Sequence, residues 1–213
     1  MNLVFPRLYA IIDPTLLAIS ELAMAEALAQ SGVELIQYRS KTASSRQFFE
    51  ISSQLSSALT PRGVRFIVND RPDIALLSGA GGVHVGQDDL GVEESRAICG
   101  VDRWVGVSTH SLEQLAAADR TSADYIAIGP IFPTATKKNP DPVVGTELLR
   151  KARQMTKKPL VAIGGITLKR AAEVYRAGAD SLAVIRDLIC VPNPGVRARE
   201  YLDVAASVAT RGA

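Results

Sequence analysis

Residues Leu160 to Gly165 read Leu-Val-Ala-Ile-Gly-Gly, a short and continuously apolar run that ends in two glycines. Such a run is typical of a strand that is buried on both faces, as in a parallel sheet. Seven other short apolar runs are spaced along the chain, at residues 8–12, 33–38, 64–68, 82–85, 104–107, 125–128 and 181–185. An amphipathic stretch follows each of them, so the sequence predicts repeated strand–helix units.

Signals for the start and end of helices lie between these runs. Ser44 and Gln47 form a capping-box pattern ahead of apolar residues at helical spacing, and Ser111 and Gln114 repeat that pattern. Further helices are predicted at residues 146–155 and at residues 168–177, where Gly178 ends the second of them.

Eight strands that each return through a helix predict a single α/β domain over residues 1–213, a (β/α)₈ TIM barrel, near the lower end of that fold's usual ~200–400 residues. An open doubly wound sheet is the alternative, but it more often has about five or six strands. Residues 133–145 form a longer irregular stretch, which is either disordered or a functional loop. As a functional loop, it is expected to close over substrate.

The composition argues against several classes of partner. The 213 residues include 24 Lys and Arg against 22 Asp and Glu, and 5% are aromatic, so neither excess cations nor stacking platforms favour a nucleic acid. No window approaches the roughly 20 apolar residues of a bilayer span, and no signal peptide is evident, so no membrane partner is expected. Two scattered cysteines, Cys99 and Cys190, favour a reducing, cytoplasmic location.

Polar residues and glycines follow almost every apolar run. In a barrel, the carboxyl ends of the strands meet at one rim, where such enzymes build their active sites. Seven segments at this end of successive strands are hard to explain as solvated surface. We therefore predict a site built from residues 37–41, 69–71, 86–89, 108–110, 129–137, 164–165 and 186–187.

Two carboxylates and three cations stand out on this rim. Asp70 and Asp89 suit Mg²⁺, which keeps several waters and bridges carboxylates to substrate phosphates, although helix capping is the alternative for Asp89. Arg39, Lys41 and Lys137 add positive charge, and each of them alone would pass for a solvated loop residue. Together, these groups fit a substrate that carries a diphosphate.

Several other residues have a simpler interpretation or an open one. Gly164-Gly165 and the start of the helix after the eighth strand offer backbone N–H groups to a phosphate. His84 lies between two valines and is expected to be packed and hydrogen-bonded. His110 is a candidate general base, but no ordered nucleophile, base and acid are visible. The two cysteines are expected to be structural.

Eight motifs run in order over residues 7–190: LYAIID at 8–13, QYRSK at 37–41, VNDR at 68–71, GVHVGQ at 82–87, GVSTH at 106–110, GPIFPTATK at 129–137, VAIGGI at 161–166 and GAD at 178–180. Together they resemble the thiamine-phosphate synthase family. That family folds as a (β/α)₈ barrel and joins hydroxymethylpyrimidine diphosphate to a thiazole phosphate. The resemblance implies a transferase that releases diphosphate, with small phosphorylated molecules as its substrates.

The resemblance also implies a role for each residue that matches the family's motifs. Mg²⁺ would be held by Asp70 and Asp89. The pyrimidine diphosphate would be held by Gln37, Tyr38, Arg39, Ser40, Lys41, Asn69, Ser108 and Lys137. The thiazole phosphate would be held by Thr134, Ala135, Thr136, Gly165, Ile185 and Arg186. The catalytic residues would be Arg39, Lys41, Ser108 and Lys137.

The chain departs from the family at two of these positions. Arg186 stands where a small residue such as serine is usual, and Tyr38 stands where leucine is common. Two alternative functions remain beside the synthase. A thiazole tautomerase of the same fold would rely on His110, and a non-catalytic sensor of thiamine precursors would keep only the phosphate-binding glycines. Neither has a use for the metal carboxylates, so these favour a synthase with a dissociative mechanism. A carboxylated or uncarboxylated thiazole donor and the oligomeric state, a homo-oligomer included, stay open.

Overall fold

Eight parallel strands close into one barrel in the computed structural model, which describes residues 5–134 and 141–209. The strands are β1 Leu8–Ile12, β2 Leu35–Tyr38, β3 Arg65–Asn69, β4 Gly82–Val85, β5 Trp104–Thr109, β6 Tyr125–Ile128, β7 Leu160–Ile163 and β8 Ser181–Val184. Strand β1 pairs with both β2 and β8, which completes the ring. The predicted (β/α)₈ barrel is confirmed, and the strands differ from their predicted bounds by two residues or fewer.

Helices cover the outside of this barrel. They are α1 Glu21–Gln30, α2 Ser45–Leu59, α3 Pro72–Leu77, α4 Val92–Cys99, α5 Leu112–Asp119, α6 Gly145–Met155, α7 Leu168–Arg176, α8 Arg186–Ile189 and α9 Pro194–Ala209. No helix in the described ranges combines the length and the apolar character needed to cross a bilayer.

Of the two predicted capping boxes, the one at the start of α2 is complete and the one at the start of α5 is only partly formed. Ser44 accepts a hydrogen bond from the backbone of Gln47, whose side chain accepts one in return, so the predicted capping box of α2 is confirmed. Ser111 likewise caps α5. The Gln114 side chain, however, accepts from the backbone N–H of His110 at 2.7 Å, so the second cap lacks the reciprocal bond that a box requires.

Alternation along the strands divides the apolar side chains into two sets. Ile36 and Phe66 face outward and pack beneath the helices, whereas Tyr9, Leu35 and Tyr125 face into the barrel. The polar residues near the carboxyl ends of β2 to β5 share the inward register: Gln37, Asn69, His84 and Ser108. The barrel therefore has an aromatic and apolar interior with a polar layer at its carboxyl end.

Aromatic rings close the amino end of the barrel. Phe5 stacks on Trp104 with ring centroids 5.1 Å apart, and it lies at the same centroid distance from Tyr125. The Tyr125 ring occupies the space left by Gly106 on the neighbouring strand, where an added Cβ would lie 2.0 Å from the ring. Only glycine at position 106 leaves room for this ring, which lies beneath the polar layer.

Candidate active site

Three charged side chains from successive strand ends meet on one side of the barrel mouth. The Lys41 ammonium donates to the Asp70 carboxylate, and the Asp89 carboxyl lies near enough to Asp70 for that carboxylate to raise its pKa. Asp89 also accepts from the backbone N–H of Gly86 at 2.8 Å. Burial and the neighbouring Asp70 both raise the pKa of Asp89. The predicted rim carboxylates are thus neighbours, and Lys41 lies beside Asp70.

Asp70 holds a backbone conformation that few residues other than glycine adopt. Its φ is 62°, and it is the one non-glycine residue in the left-handed region among residues 5–134 and 141–209. The conformation is held by a hydrogen bond from its N–H to the carbonyl of His84 at 2.8 Å. Such a conformation costs about 1–3 kcal/mol and tends to occur at functional sites, where it directs a side chain. Here it accompanies the ion pair of Asp70 with Lys41 beside Asp89.

The donor set of this carboxylate pair fits a divalent magnesium ion. Two neighbouring carboxylates repel each other when both are ionised, and a hard cation between them would remove that repulsion. No cluster of three or more metal-binding side chains occurs within the described residues. Magnesium commonly binds through one or two carboxylates and completes its coordination with waters and substrate phosphates, so the two carboxylates suffice.

Arg39 is held in the mouth by a carboxylate that the sequence analysis did not select. Its guanidinium donates to Oδ2 of Asp13 at 2.7 Å, and Asp13 is itself buried. The other oxygen, Oδ1, accepts from the backbone N–H and the hydroxyl of Thr15 at 3.1 Å and 2.7 Å. The sequence contained a signal that Asp13 belongs to the site, because Asp13 directly follows the first strand just as Asp70 follows the third.

Hydrogen bonds connect the inward polar residues to one another. Gln37 donates to the hydroxyl of Tyr9 at 2.7 Å, and the hydroxyls of Tyr9 and Tyr125 lie 2.9 Å apart. His84 bonds Tyr125 through Nδ1 at 3.0 Å and Ser108 through Nε2 at 2.9 Å. The expectation that His84 is packed and hydrogen-bonded is confirmed. These five residues are called the interior network below.

The side chains of residues 37–41 point in different directions, whereas the sequence analysis assigned all five residues to the pyrimidine diphosphate. Gln37 points inward, so Tyr38 points outward and packs on Phe48 of α2 with ring centroids 5.1 Å apart. Burial raises the pKa of Tyr38 to about 12. The Tyr38 side chain therefore lies away from the mouth, and its assignment to the pyrimidine diphosphate stays a prediction. Ser40 accepts from the backbone N–H of Ala43 and shapes the turn that leads to α2.

The predicted thiazole side of the mouth is built by close backbone packing. Phe132 donates its N–H to the carbonyl of Gly164 at 3.0 Å, so the segment after β6 runs along the segment after β7. Gly165 has a φ of 62°, and a Cβ there would lie 2.4 Å from the carbonyl oxygen of Pro133. Arg170 donates to the Gly165 carbonyl at 3.2 Å and lies over the Phe132 ring. Gly165 is thus required by the packing of these two segments.

The remaining predicted residues have different outcomes. Asn69 is buried at the end of β3, and Thr134 is half-buried. Ile185 is half-buried before α8, and Arg186 is exposed at the first position of that helix. Ala135, Thr136 and Lys137 lie outside the described residues, as do residues 138–140 of the same segment, which was expected to close over substrate.

His110 and the two cysteines add no arrangement for nucleophilic catalysis. Nδ1 of His110 bonds the carbonyl of Gly129 at 2.6 Å, and Nε2 lies 3.5 Å from Asp141. Cys99 is buried against the carbonyl of Pro72, and burial raises the pKa of its thiol, which fits the structural role expected for it. Cys190 is exposed and its Sγ lies 3.9 Å from the carbonyl of Leu16.

Comparison with known proteins gives consistent matches over nearly the whole chain. The profile of the thiamine monophosphate synthase family matches residues 8–188. A thiamine-phosphate synthase from Koribacter versatilis is 48% identical over 97% of this chain and 99% of its own length. One from Chloroflexus aurantiacus is 43% identical over 91% of this chain and 90% of its own length.

A solved structure matches equally well. The thiamine phosphate pyrophosphorylase from Pyrococcus furiosus superposes with a TM-score of 0.86 at 33% sequence identity. The match covers 95% of this chain and 96% of that one.

Proposed function

The chain belongs to the thiamine monophosphate synthase family and is a transferase of the thiamine-phosphate synthase type, and from this premise we propose which of its residues carry the reaction. The substrates are hydroxymethylpyrimidine diphosphate and a thiazole phosphate, and the products are thiamine phosphate and diphosphate. Mg²⁺ is the cofactor. The observation that carries the assignment is the ion pair of Lys41 with Asp70 beside Asp89 at the mouth, where the backbone of Asp70 has a positive φ.

The diphosphate side lies over strands β1 to β4. Arg39 and Lys41 place two cations there, and Asp13 fixes the first of them. When the bond between the pyrimidine methylene carbon and the diphosphate oxygen breaks, its electron pair remains on that oxygen. Positive groups already in place stabilise the charge that develops, and they need no reorganisation at that moment. Lys137, outside the described residues, is assigned to the same diphosphate.

Asp70 and Asp89 would hold the magnesium ion, which when bound neutralises phosphate charge as a Lewis acid. The role of these two side chains is to keep a negative, oxygen-lined position beside Lys41 in the absence of substrate. The backbone N–H of Gly86 fixes the Asp89 carboxyl within that position. Asp89 therefore binds metal in this proposal and does not serve as a helix cap.

The pyrimidine lies over the inward polar layer, between Gln37, Asn69 and Ser108. An aminopyrimidine ring donates electrons and supports positive charge at its methylene carbon, so diphosphate departs before the new bond forms. The lone pair of the thiazole nitrogen then forms the C–N bond. No protein nucleophile takes part, and the arrangement around His110 offers none.

The thiazole phosphate is assigned to the other side of the mouth. We assign it to the backbone of Gly165, to the segment Ile185–Arg186 and to Thr134, together with Ala135 and Thr136, which lie outside the described residues. The exposed position of Arg186 at the start of α8 lets its side chain turn away from the backbone N–H groups or add its own contact to the substrate. Free Cys99 and Cys190 support a cytoplasmic location for this enzyme.

The test is a coupling assay with both substrates, in which thiamine phosphate and diphosphate are measured with and without Mg²⁺. The synthase forms both products in equal amounts, and only when the metal is present. Binding of the pyrimidine diphosphate without product release would instead identify a sensor. Isomerisation of a thiazole phosphate without diphosphate release would identify a tautomerase. The variant Asp70→Asn, which keeps the shape of the side chain, is expected to need far more Mg²⁺ for the same rate.

A further inference from the structure

The interior network has a direction, because one end of it can only donate. The amide nitrogen Nε2 of Gln37 has two hydrogens and no acceptor, so the Tyr9 oxygen accepts at that contact. Burial raises the pKa values of Tyr9 and Tyr125 far above that of an ordinary tyrosine, so each phenol keeps its hydrogen. The Tyr125 oxygen, 2.9 Å away, is the one acceptor within hydrogen-bond distance of the Tyr9 hydroxyl among the described residues, and it takes the hydrogen of Tyr9 in the direction inferred here.

The same reasoning continues from Tyr125 to the mouth. With Tyr125 accepting from Tyr9, its own hydrogen is left for Nδ1 of His84, which lies 3.0 Å from the Tyr125 oxygen. Nδ1 is therefore an acceptor without a proton, and a neutral imidazole carries its proton on Nε2. Nε2 in turn donates to the hydroxyl oxygen of Ser108 at 2.9 Å. In this direction each of the four contacts of the interior network has one hydrogen and one acceptor.

Each end of the interior network has a defined role as a hydrogen-bond donor or acceptor. At one end, Oε1 of Gln37 is the atom not engaged by Tyr9, and it accepts no hydrogen bond from the described residues. At the other end, Ser108 accepts from His84, so its own hydrogen is available to donate. The mouth thus presents one acceptor and one donor, each fixed from below by buried groups.

We propose that Tyr9, Tyr125 and His84 are positioning residues that select an aminopyrimidine by fixing Gln37 as an acceptor and Ser108 as a donor. An aminopyrimidine has an exocyclic N–H that donates to an acceptor and ring nitrogens that accept from a donor. The corresponding oxopyrimidine has a carbonyl in place of the amino group and a hydrogen on a ring nitrogen, so its pattern is reversed there. The selection rests on the function proposed above, whereas the direction of the network does not.

The direction can be measured without any substrate. The chain has two histidines, so a His110→Gln variant identifies the ¹⁵N signals of His84 in a labelled protein. We expect a proton on Nε2 and none on Nδ1. In Tyr125→Phe, which keeps the ring beside Gly106 and loses the donor, we expect a mixture of tautomers. A proton on Nδ1 in the unsubstituted protein would overturn the proposal, and so would an unchanged spectrum in Tyr125→Phe.

The selection is measured by the ratio of kcat/KM for the aminopyrimidine diphosphate to kcat/KM for its oxo analogue. Rejection of a mismatched hydrogen-bonding partner by a fixed site is large, so Tyr125→Phe is expected to lower this ratio by about tenfold or more. Tyr9→Phe is expected to act in the same way, and it serves if Tyr125→Phe does not fold.

A matched control is Tyr175→Phe, which also removes one buried hydroxyl but one that bonds the carbonyl of Arg7 outside the interior network. It is expected to leave the ratio unchanged. If Tyr125→Phe and Tyr9→Phe lower the rates of both substrates equally, the residues are merely structural and the selection is refuted. If the unsubstituted protein makes no thiamine phosphate, the proposed function fails, and the His84 spectrum still decides the direction of the network.

Discussion

Replacement of Asp13 by asparagine isolates the contribution of the buried carboxylate that holds Arg39. The two side chains expose only 8% and 15% of their surface, and their contact is 2.7 Å long. Asparagine keeps the carbonyl oxygen that Thr15 needs, but it loses the charge that faces the guanidinium. A hydrogen bond to a charged group contributes about 1.5–3 kcal/mol. We therefore expect the free energy of unfolding to fall by roughly that amount.

The same loss has a catalytic consequence if Arg39 binds the departing diphosphate. An unrestrained guanidinium must be ordered again each time a substrate reacts, and each 1.4 kcal/mol corresponds to about tenfold in rate or affinity. Asp13→Asn is thus expected to lower kcat/KM for the pyrimidine diphosphate by roughly 10- to 150-fold. Initial rates of diphosphate release and urea unfolding measure the two effects.

Asp180→Asn is the matched control for this prediction. Asp180 accepts from Arg153 at 2.6 Å, and it precedes β8 at the amino end of the barrel, opposite the mouth. Its loss is expected to lower stability but to leave kcat/KM within about twofold of the starting value. The reasoning about Arg39 is refuted if Asp13→Asn loses stability in the same way and keeps its kcat/KM.

Three further substitutions test separate parts of the site. Asp70→Gly removes a carboxylate and also relaxes the positive φ, so we expect the loss of metal-dependent turnover with a stability unchanged or raised by about 1 kcal/mol in urea unfolding. Lys137→Ala is expected to lose most of its kcat, and a kcat within about threefold of the starting value would show that the role of Lys137 is wrong. Gly165→Ala is expected to lower the free energy of unfolding by about 2 kcal/mol or more and to raise KM for the thiazole phosphate, because the new Cβ would meet the carbonyl of Pro133. An unchanged KM in a variant that calorimetry shows to be folded would contradict this.

The barrel was predictable from local sequence because each strand is buried on both faces. The runs around residues 82–85, 125–128 and 160–163 gave the observed bounds. The errors lie at strand ends, where polar residues such as Thr109 extend β5 through backbone pairing that an apolar pattern does not reveal. Residues 8–12 were equally clear, because apolar side chains fill the strand from end to end.

The site was predictable as a place but not as a set of contacts. The position of Asp70 and Asp89 after successive strands led to the expectation of a shared site, and the effect of Asp70 on the pKa of Asp89 agrees with it. The outward direction of the Tyr38 side chain follows from alternation along β2, although its polar neighbours in sequence drew attention to the mouth. The partnership of Asp13 with Arg39 joins two different strand ends, so only the closed ring could reveal it.

The interior network was beyond any reading of the sequence. Tyr9 and Tyr125 are 116 positions apart, and their hydroxyls meet only because β1 and β6 direct both rings into the same interior. The glycine at position 106 was the one local hint, since a residue without a side chain on a buried strand implies that something large lies opposite it. Nothing in the sequence identifies that large neighbour as Tyr125.

The packed rings of Phe5, Trp104 and Tyr125 close the barrel at its amino end, so only the carboxyl end is open. Nothing as large as a diphosphate can leave through this closed amino end. Both products must therefore go back past the surface over which both reactants arrived. Accumulated diphosphate would then obstruct the arrival of fresh pyrimidine compound, and the pace of the cell's phosphatases that hydrolyse diphosphate would influence how fast this protein can work.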